Sequence, residues 1–150
     1  MKLDNECLGC KLANNDELVY QIYENDYVTC FLDHAPFNSG HTLIVPKQHF
    51  LEVDELDTDT AKAIMDASKL ISKAIKLLYK PDGITICQNG GIFNELTHYH
   101  MHVVPRYKNQ PFADFYIEQS IDRENKIHNF SDTKRLLKET INQMTGIEKA

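Results

Sequence analysis

The segment at residues 98–106 constrains the fold of this chain more than any other stretch. It reads HYHMHVVPR, in which histidine alternates with apolar or aromatic residues. Successive side chains of a β-strand point to opposite faces, so the alternation predicts a strand with imidazoles about 6.5–7 Å apart along one face. These imidazoles belong to His98, His100 and His102. The opposite face, which would anchor the strand to a core, carries Tyr99, Met101 and Val103.

This row of imidazoles has a functional interpretation and a plain one. A neutral imidazole serves near pH 7 as a nucleophile, a metal ligand or a proton donor. The plain alternative is that three polar residues lie on a solvated strand face. The chain has only seven histidines, and three of them in strict alternation favour a functional site.

The rest of the chain predicts a single α+β domain. Further strands are expected between clusters of turn residues, at Val19–Tyr23, Val28–Leu32, Thr42–Val45 and Ile84–Cys87. Apolar residues at helical spacing predict a long helix that begins near Thr58 or Asp59 and stops at Pro81. A second helix is predicted from Ser131 through about Met144. We expect the five strands to form one antiparallel meander sheet.

The composition argues against several classes of partner. The 150 residues carry a net charge of −6 and no lysine- or arginine-rich block, so a long nucleic acid would be repelled and any phosphate must be bound locally. No apolar run reaches about 18 residues, the length that a membrane span needs. The first residues lack the basic and apolar regions of a secretory signal, which predicts a cytoplasmic protein.

Cysteine usage points to one candidate site near the amino terminus. Cys7 and Cys10 form a close pair of the kind used in metal or redox chemistry, while two unrelated thiols are the plain alternative. A redox pair of the thioredoxin type should follow a strand, and Cys7 lies too near the terminus for that. Cys30 and Cys87 fall in apolar strand-like runs and are expected to be small core residues.

Two segments carry a family resemblance. HYHMHVVPRY resembles the alternating histidine signature of the histidine-triad superfamily, and FLDHAPFNSGHTLIVPKQH, at residues 31–49, resembles that family's nucleotide-binding strand, loop and strand. The resemblance implies one HIT-like domain over residues 1–150, with the motifs in residues 7–107 and an extension at residues 108–150. It also implies a homodimer, in which a helix and an edge strand join two sheets.

The resemblance further implies covalent nucleotidyl transfer from a purine nucleotide. His100 would attack the α-phosphate, and His102 would donate a hydrogen bond to a phosphate oxygen. Asp33 would accept hydrogen bonds from both ribose hydroxyls, although a turn aspartate is its plain interpretation. Loop amides at residues 89–91 would supply further phosphate donors. The remaining nucleotide contacts are expected from Phe31, His34, Asn89 and Asn94, with Leu32 and Ile44 as further candidates for a base pocket.

A zinc site is implied by the same resemblance. Two thiolates and two imidazoles would suit tetrahedral Zn²⁺, and a site with four protein ligands should be structural. The implied ligands are Cys7, Cys10, His49 and His98. The remaining histidines, His34, His41 and His128, are expected in turns or at the surface, with His34 the nearest of them to a ligand.

The stretch before the histidine row departs from the family pattern. Asn94 stands where the family has a glutamine, and Glu95 brings negative charge where a phosphate donor is expected. Glu95 would repel a phosphate unless it is turned away, paired or protonated, and loops at strand edges usually place charges outward. A phosphoramidate, an adenylate ester and a dinucleoside polyphosphate therefore all remain open as substrates.

Two other functions remain open beside the hydrolase or transferase. One is a zinc-stabilised nucleotide-binding regulatory protein with little turnover. The other is a metal-dependent hydrolase in which the three histidines hold a catalytic metal, although no obvious carboxylate base accompanies them.

Overall fold

The computed structural model describes residues 6–117 and 129–146 of the chain. The strands in this part are β1 (Gln21–Glu24), β2 (Val28–Leu32), β3 (Thr42–Pro46), β4 (Gly83–Cys87) and β5 (Met101–Arg106). The helices are α1 (Leu8–Ala13), α2 (Thr58–Tyr79), α3 (Ala113–Ile117) and α4 (Phe130–Thr145). Short 3₁₀ turns lie at Val53–Glu55 and Gly91–Phe93. In the described part of the chain, no helix has the length and apolarity to cross a membrane.

The strands form one five-stranded antiparallel sheet, as predicted, in the order β1-β2-β3-β5-β4. The consecutive pairs β1–β2, β2–β3 and β4–β5 agree with the expected meander, and only the step from β3 to β4 departs from it. The chain leaves β3, crosses one face of the sheet through α2 and enters β4 at the edge. The more buried β5 then lies between β3 and β4, because its apolar face packs beneath α2 whereas the residues of β4 are mostly half-buried.

Helix α2 begins at Thr58, and its capping residue is Asp57, one residue before the predicted Thr58 or Asp59. The carboxylate of Asp57 accepts a hydrogen bond from the backbone N–H of Thr60, which satisfies one of the free amides of the first turn. The helix ends at Lys80, which adopts a left-handed conformation before Pro81. Its buried face includes Ile64, Ile71 and Ile75, and it covers the sheet.

The segment after residue 107 contributes to the main core. Helix α4 begins at Phe130, capped by Asn129 rather than by Ser131, and it buries Leu137 and Ile141 in the cluster that α2 forms with the sheet. Cys30 lies in the same cluster, as predicted, and burial raises the pKa of its thiol. Cys87 is only half-buried and packs at the edge of a smaller cluster.

The histidine segment alternates as predicted, but its strand is shorter. Strand β5 starts at Met101, because the backbone N–H of Tyr99 donates to the carbonyl of Phe50 in a loop, 2.7 Å away, and not to a neighbouring strand. The apolar residues Tyr99, Met101 and Val103 enter the main core. The imidazoles consequently lie on the other face, the one where α1 packs against β2 and β3.

Candidate functional site

His100 is buried with its ring held by a single backbone contact. Its Nδ1 lies 2.9 Å from the carbonyl oxygen of His98. A carbonyl can only accept, so Nδ1 carries the hydrogen and donates it. The lone pair of a neutral His100 is then on Nε2. The ring lines a cavity of about 930 Å³, a volume within the range of small-molecule sites.

His102 is the end of a hydrogen-bonded chain that begins at a backbone amide. The N–H of Phe37 donates to Nδ1 of His41 over 3.0 Å, so this nitrogen is an acceptor and His41 carries its hydrogen on Nε2. That nitrogen lies 2.9 Å from Nδ1 of His102 and donates to it. A neutral His102 therefore carries its own hydrogen on Nε2. Because His102 lines the same cavity as His100, this tautomer provides a donor for a phosphate oxygen.

The expectation that His41 lies in a turn or at the surface was wrong. Its side chain is fully buried, with 0% exposure. The sequence offered one indication of a role in the site, because His41 stands directly before β3 and inside the segment that carries the family resemblance. The expectation for His34 is confirmed, since its side chain is almost fully exposed, with Nδ1 3.7 Å from Asp33. His128 lies outside the described residues.

Asp33 is both a turn aspartate and part of the histidine cluster. Its Oδ1 accepts the backbone N–H of Ala35, and its Oδ2 lies 3.4 Å from Nε2 of His41 and 3.8 Å from Nδ1 of His102. Burial raises the pKa of Asp33, but its interactions with His41, with the Ala35 amide and with His102 outweigh this effect and leave the pKa below its ordinary value. A buried, ionised carboxylate at the cavity wall is a strong hydrogen-bond acceptor.

Several predicted nucleotide contacts line the cavity and others do not. Phe31, Leu32 and Asn89 are among the lining residues. Ile44 faces the main core under α2, because β3 alternates and turns Leu43 to the cavity instead. Asn94 is buried outside the lining and donates from Nδ2 to the carbonyl of Leu51, so its assignment as a nucleotide contact has no support in this geometry.

The loop at residues 89–91 is held by the carboxylate of Glu52, a residue for which the sequence analysis predicted no role. Oε1 of Glu52 accepts the backbone N–H of Gly91 over 2.6 Å, and a side chain at Gly90 would collide with Oε2 of the same residue. The amide of Gly91 is thus engaged within the protein, which contradicts its predicted use as a phosphate donor. Glu95 is exposed, as expected, and also lines the cavity.

Four potential metal ligands converge at the other end of the histidine row. The side-chain donor atoms of Cys7, Cys10, His49 and His98 all lie within 4.8 Å of one another. Nδ1 of His98 is 3.4 Å from Sγ of Cys7 and 3.5 Å from Sγ of Cys10, while Nδ1 of His49 is 3.4 Å from Sγ of Cys10. A set of two thiols and two imidazoles fits a tetrahedral Zn²⁺.

The surroundings of His98 favour metal binding through Nδ1. Its Nε2 donates to the carbonyl of Pro46, 2.8 Å away, which leaves Nδ1 as the ligand nitrogen. Burial lowers the pKa of His98 to about 4, against the opposing effect of the Pro46 carbonyl, so the ring is neutral at pH 7. Because this ring points into the cysteine cluster, the three histidines do not hold one common metal.

The cysteines lie at the start of α1 rather than in an irregular turn. Sγ of Cys7 accepts the backbone N–H of Cys10 and caps the helix. Gly9 lies between them, directly against His98, and a side chain at this position would collide with Cβ and Cγ of that histidine. This close approach brings both thiols to the His98 ring.

Asp33, His41 and His102 also have donor atoms within 4.8 Å of one another. Both ring nitrogens of His41 are already engaged, one by the Phe37 amide and one by His102. Hydrogen bonding therefore accounts for this group without a metal ion.

Three proteins of related sequence each match about 70% of this chain. An uncharacterised HIT-like protein of Borreliella burgdorferi is 35% identical over 112 residues, covering 72% of this chain and 81% of the relative. The adenylylsulfatase HINT3 of Arabidopsis thaliana is 32% identical over 69% of this chain and 54% of its own length. The adenosine 5′-monophosphoramidase HNT1 of Saccharomyces cerevisiae is 31% identical over 69% of this chain and 65% of its own length.

Solved structures share the fold. A zinc-bound histidine triad family protein from Mycobacterium smegmatis superposes with a TM-score of 0.75 at 28% identity, covering 95% of this chain and 98% of that one. A hypothetical histidine triad nucleotide-binding protein from Sulfolobus tokodaii gives a TM-score of 0.77 at 28% identity, covering 93% and 94%. The family model described as HIT domain matches residues 15–109. With this match, the alternating histidine strand and the buried imidazole cluster, the chain belongs to the histidine triad (HIT) family.

Proposed function

We propose that this protein is a nucleotide hydrolase or transferase that acts on the α-phosphate of a purine nucleotide through a covalent intermediate on His100. The observation that carries the proposal is the 2.9 Å contact between Nδ1 of His100 and the carbonyl of His98. It leaves the free lone pair of a neutral imidazole on Nε2 of a ring that lines the cavity, so the nucleophile needs no prior deprotonation. The relatives named as an adenylylsulfatase and an adenosine 5′-monophosphoramidase support a nucleotide substrate.

The reaction proceeds in two displacements at phosphorus. In the first, Nε2 of His100 forms a bond to the α-phosphorus, and the leaving group departs with the electron pair of its own bond to phosphorus and takes up a proton from solvent. His100 keeps the hydrogen on Nδ1, so the nucleotidyl-imidazole is cationic and is itself a good leaving group. In the second, water or another acceptor attacks phosphorus, Nε2 regains its electron pair and the surplus proton returns to solvent. Nε2–H of His102 stabilises the negative charge on a non-bridging oxygen in both steps.

Nucleotide binding rests on the residues around these two histidines. The ionised Asp33 accepts hydrogen bonds from the two ribose hydroxyls, with the exposed His34 beside it. Phe31 contributes an apolar surface for the base, and Asn89 supplies an amide near the phosphate. Zn²⁺ bound by Cys7, Cys10, His49 and His98 would be structural, because all four positions belong to the protein.

We also propose that the protein is a homodimer. In the described sheet, β4 is an edge strand, and Ile86 on it is exposed, as are Met65 and Leu77 on α2. Pairing two such edges about a two-fold axis would satisfy the strand and bury these side chains. A cytoplasmic location and the absence of a nucleic-acid partner stay predictions from the sequence.

The covalent step is tested by mass spectrometry of the intact protein after rapid mixing with an adenosine phosphoramidate. The wild type should gain the mass of one adenylyl group, and the label should map to His100. His100→Ala should lose the label and about 10⁴–10⁶ of the turnover, the cost of removing other covalent nucleophiles. His102→Ala is the comparison, because it removes the oxygen donor while leaving the nucleophile, and it should still take up the label, at a reduced rate.

A near-normal kcat for a folded His100→Ala protein would overturn the mechanism.

The second candidate function, nucleotide binding with little turnover, is favoured by the carboxylate of Glu95 in the cavity wall. It predicts tight nucleotide binding by the wild type with neither label nor product.

A further inference from the structure

Glu95 is a carboxylate in the cavity wall that has no cationic partner in the described part of the chain. No ion pair or hydrogen bond of its side chain occurs within residues 6–117 and 129–146. Of the two basic residues that follow it most closely in sequence, Arg106 is engaged elsewhere through its side chain. The guanidinium of Arg106 donates to Thr85 and to the carbonyl of Gln110 and packs on Phe112. Neither Arg106 nor Lys108 lines the cavity.

The same cavity has no lysine or arginine among its described lining residues. Its only cationic capacity there lies in imidazoles, and its two carboxylates belong to Asp33 and Glu95. A chain of several phosphates, each bearing a negative charge, would therefore meet a carboxylate rather than a basic side chain. A positively charged group of a ligand would therefore meet no competing lysine or arginine among these described lining residues.

The in-line geometry of phosphoryl transfer says which part of the ligand meets Glu95. The bond that breaks lies opposite the attacking nitrogen, so the leaving group points away from the nucleophile. Because His100 is buried at 8% exposure, an extended leaving group would have to reach towards the exposed part of the cavity lining, which we call the mouth. Glu95, which is exposed, lies at that mouth.

Large apolar side chains form part of this mouth, together with the exposed imidazole of His34. Ile92 is 92% exposed, Phe93 is 71% exposed and Leu18 is 91% exposed, and all three line the same cavity. Exposed side chains of this size and character at a pocket entrance mark a contact surface for an apolar group. An apolar surface next to an unpaired carboxylate matches a hydrocarbon stem that ends in a cation.

We propose that Glu95 is a specificity-determining residue that selects substrates whose leaving group is an apolar stem carrying a positive charge. This inference rests on the proposed nucleotidyl transfer and narrows its substrate class to nucleoside phosphoramidates of amines with a distal ammonium group. It predicts a lower kcat/KM for dinucleoside polyphosphates and for other substrates with anionic leaving groups.

The test compares three adenosine 5′-phosphoramidates that differ only at the far end of the leaving amine. The amines are 1,4-diaminobutane, pentylamine and 5-aminopentanoate, which place an ammonium, a methyl group or a carboxylate on the same four-carbon stem. Two unit charges about 4 Å apart in water interact by an amount equal to about fivefold in affinity. The wild type should therefore prefer the ammonium compound over the carboxylate compound by about 25-fold in kcat/KM, the product of one attraction and one repulsion.

Variants separate the charge of Glu95 from the intrinsic reactivity of the compounds. Glu95→Gln keeps the shape of the side chain and should reduce the ratio by about the same factor of 25, while changing the pentylamine compound by less than about twofold. Glu95→Lys should invert the preference. Asp54→Asn removes an exposed carboxylate that does not line the cavity and should leave the ratio unchanged.

Binding to the His100→Ala protein makes the test independent of turnover. The dissociation constants of the three compounds should show the same order, and the double variant with Glu95→Gln should lose it. Equal ratios for the wild type and Glu95→Gln, in both kcat/KM and dissociation constant, overturn the role of Glu95 while leaving the nucleophile unaffected. Loss of the adenylyl label with an intact charge preference in binding would instead refute the proposed covalent step alone.

Discussion

Replacing Gly9 by alanine tests whether the close approach of α1 to His98 builds the metal site. Two effects of this substitution oppose each other. Alanine has the better helix propensity, by about 1 kcal/mol, which would stabilise α1. Against this, the new Cβ would overlap Cβ and Cγ of His98, and both residues are buried.

The overlap should dominate. Ordinary contacts of a Cβ begin at 3.4 Å, so α1 and His98 would have to separate by roughly 1 Å. Overpacking of this kind costs about 1–3 kcal/mol, and the neighbouring thiols of Cys7 and Cys10 would move with the helix. If the same free energy is lost from metal binding, Zn²⁺ should bind roughly 5- to 150-fold more weakly.

The assay combines competitive zinc titration with urea unfolding of the chelator-treated protein. Gly83→Ala is the matched control, because a Cβ there meets nothing within 4 Å and Gly83 does not have a positive φ. The control should keep its zinc affinity and change the free energy of unfolding by less than about 1 kcal/mol. If Gly9→Ala were as stable as the wild type and bound zinc equally well, the packing argument would be refuted.

Two further predictions concern the metal and the assembly. Protein purified without chelator should contain about one zinc per chain, and Cys10→Ser should lose it together with activity, as measured by metal analysis; a metal-free wild type that takes up no zinc on reconstitution would falsify the site. Light scattering at micromolar concentration should give the mass of a dimer. Ile86→Lys in the edge strand should shift the measured mass towards that of the monomer. A monomer mass for the wild type would exclude the proposed pairing.

Local sequence patterns predicted those strands and helices in which the pattern of apolar and turn residues is enough to define the element. The bounds of β2 agree with the predicted Val28–Leu32, and β4 differs from its prediction by one residue, because alternating or continuous apolar residues between turn signals define these strands. Helix α1 was not predicted. At six residues it is too short for a periodic pattern, and its cap is the sulfur of Cys7 rather than a common capping residue.

The part of the site that depends on distant contacts was less predictable. The alternation of the histidine segment identified His100, but nothing local indicates that a backbone amide at Phe37 fixes the tautomer of His41 and, through it, that of His102. The same holds for Glu52, which engages the Gly91 amide from 39 positions away in the chain. The contact of Asn94 was not predictable for a related reason, since its amide donates to the carbonyl of Leu51 in the same distant loop.

The pairing of β5 restricts how this site can change during evolution. His102 lies between Leu43 on β3 and Cys87 on β4, while Val103 lies between Thr42 and Ile86. Inserting or deleting one residue in the histidine segment would shift this register and exchange the faces, turning imidazoles into the core and apolar side chains into the cavity. Substrate range can therefore diversify by substitution in the mouth of the cavity, whereas the length of the segment from His98 to Val103 has to stay constant.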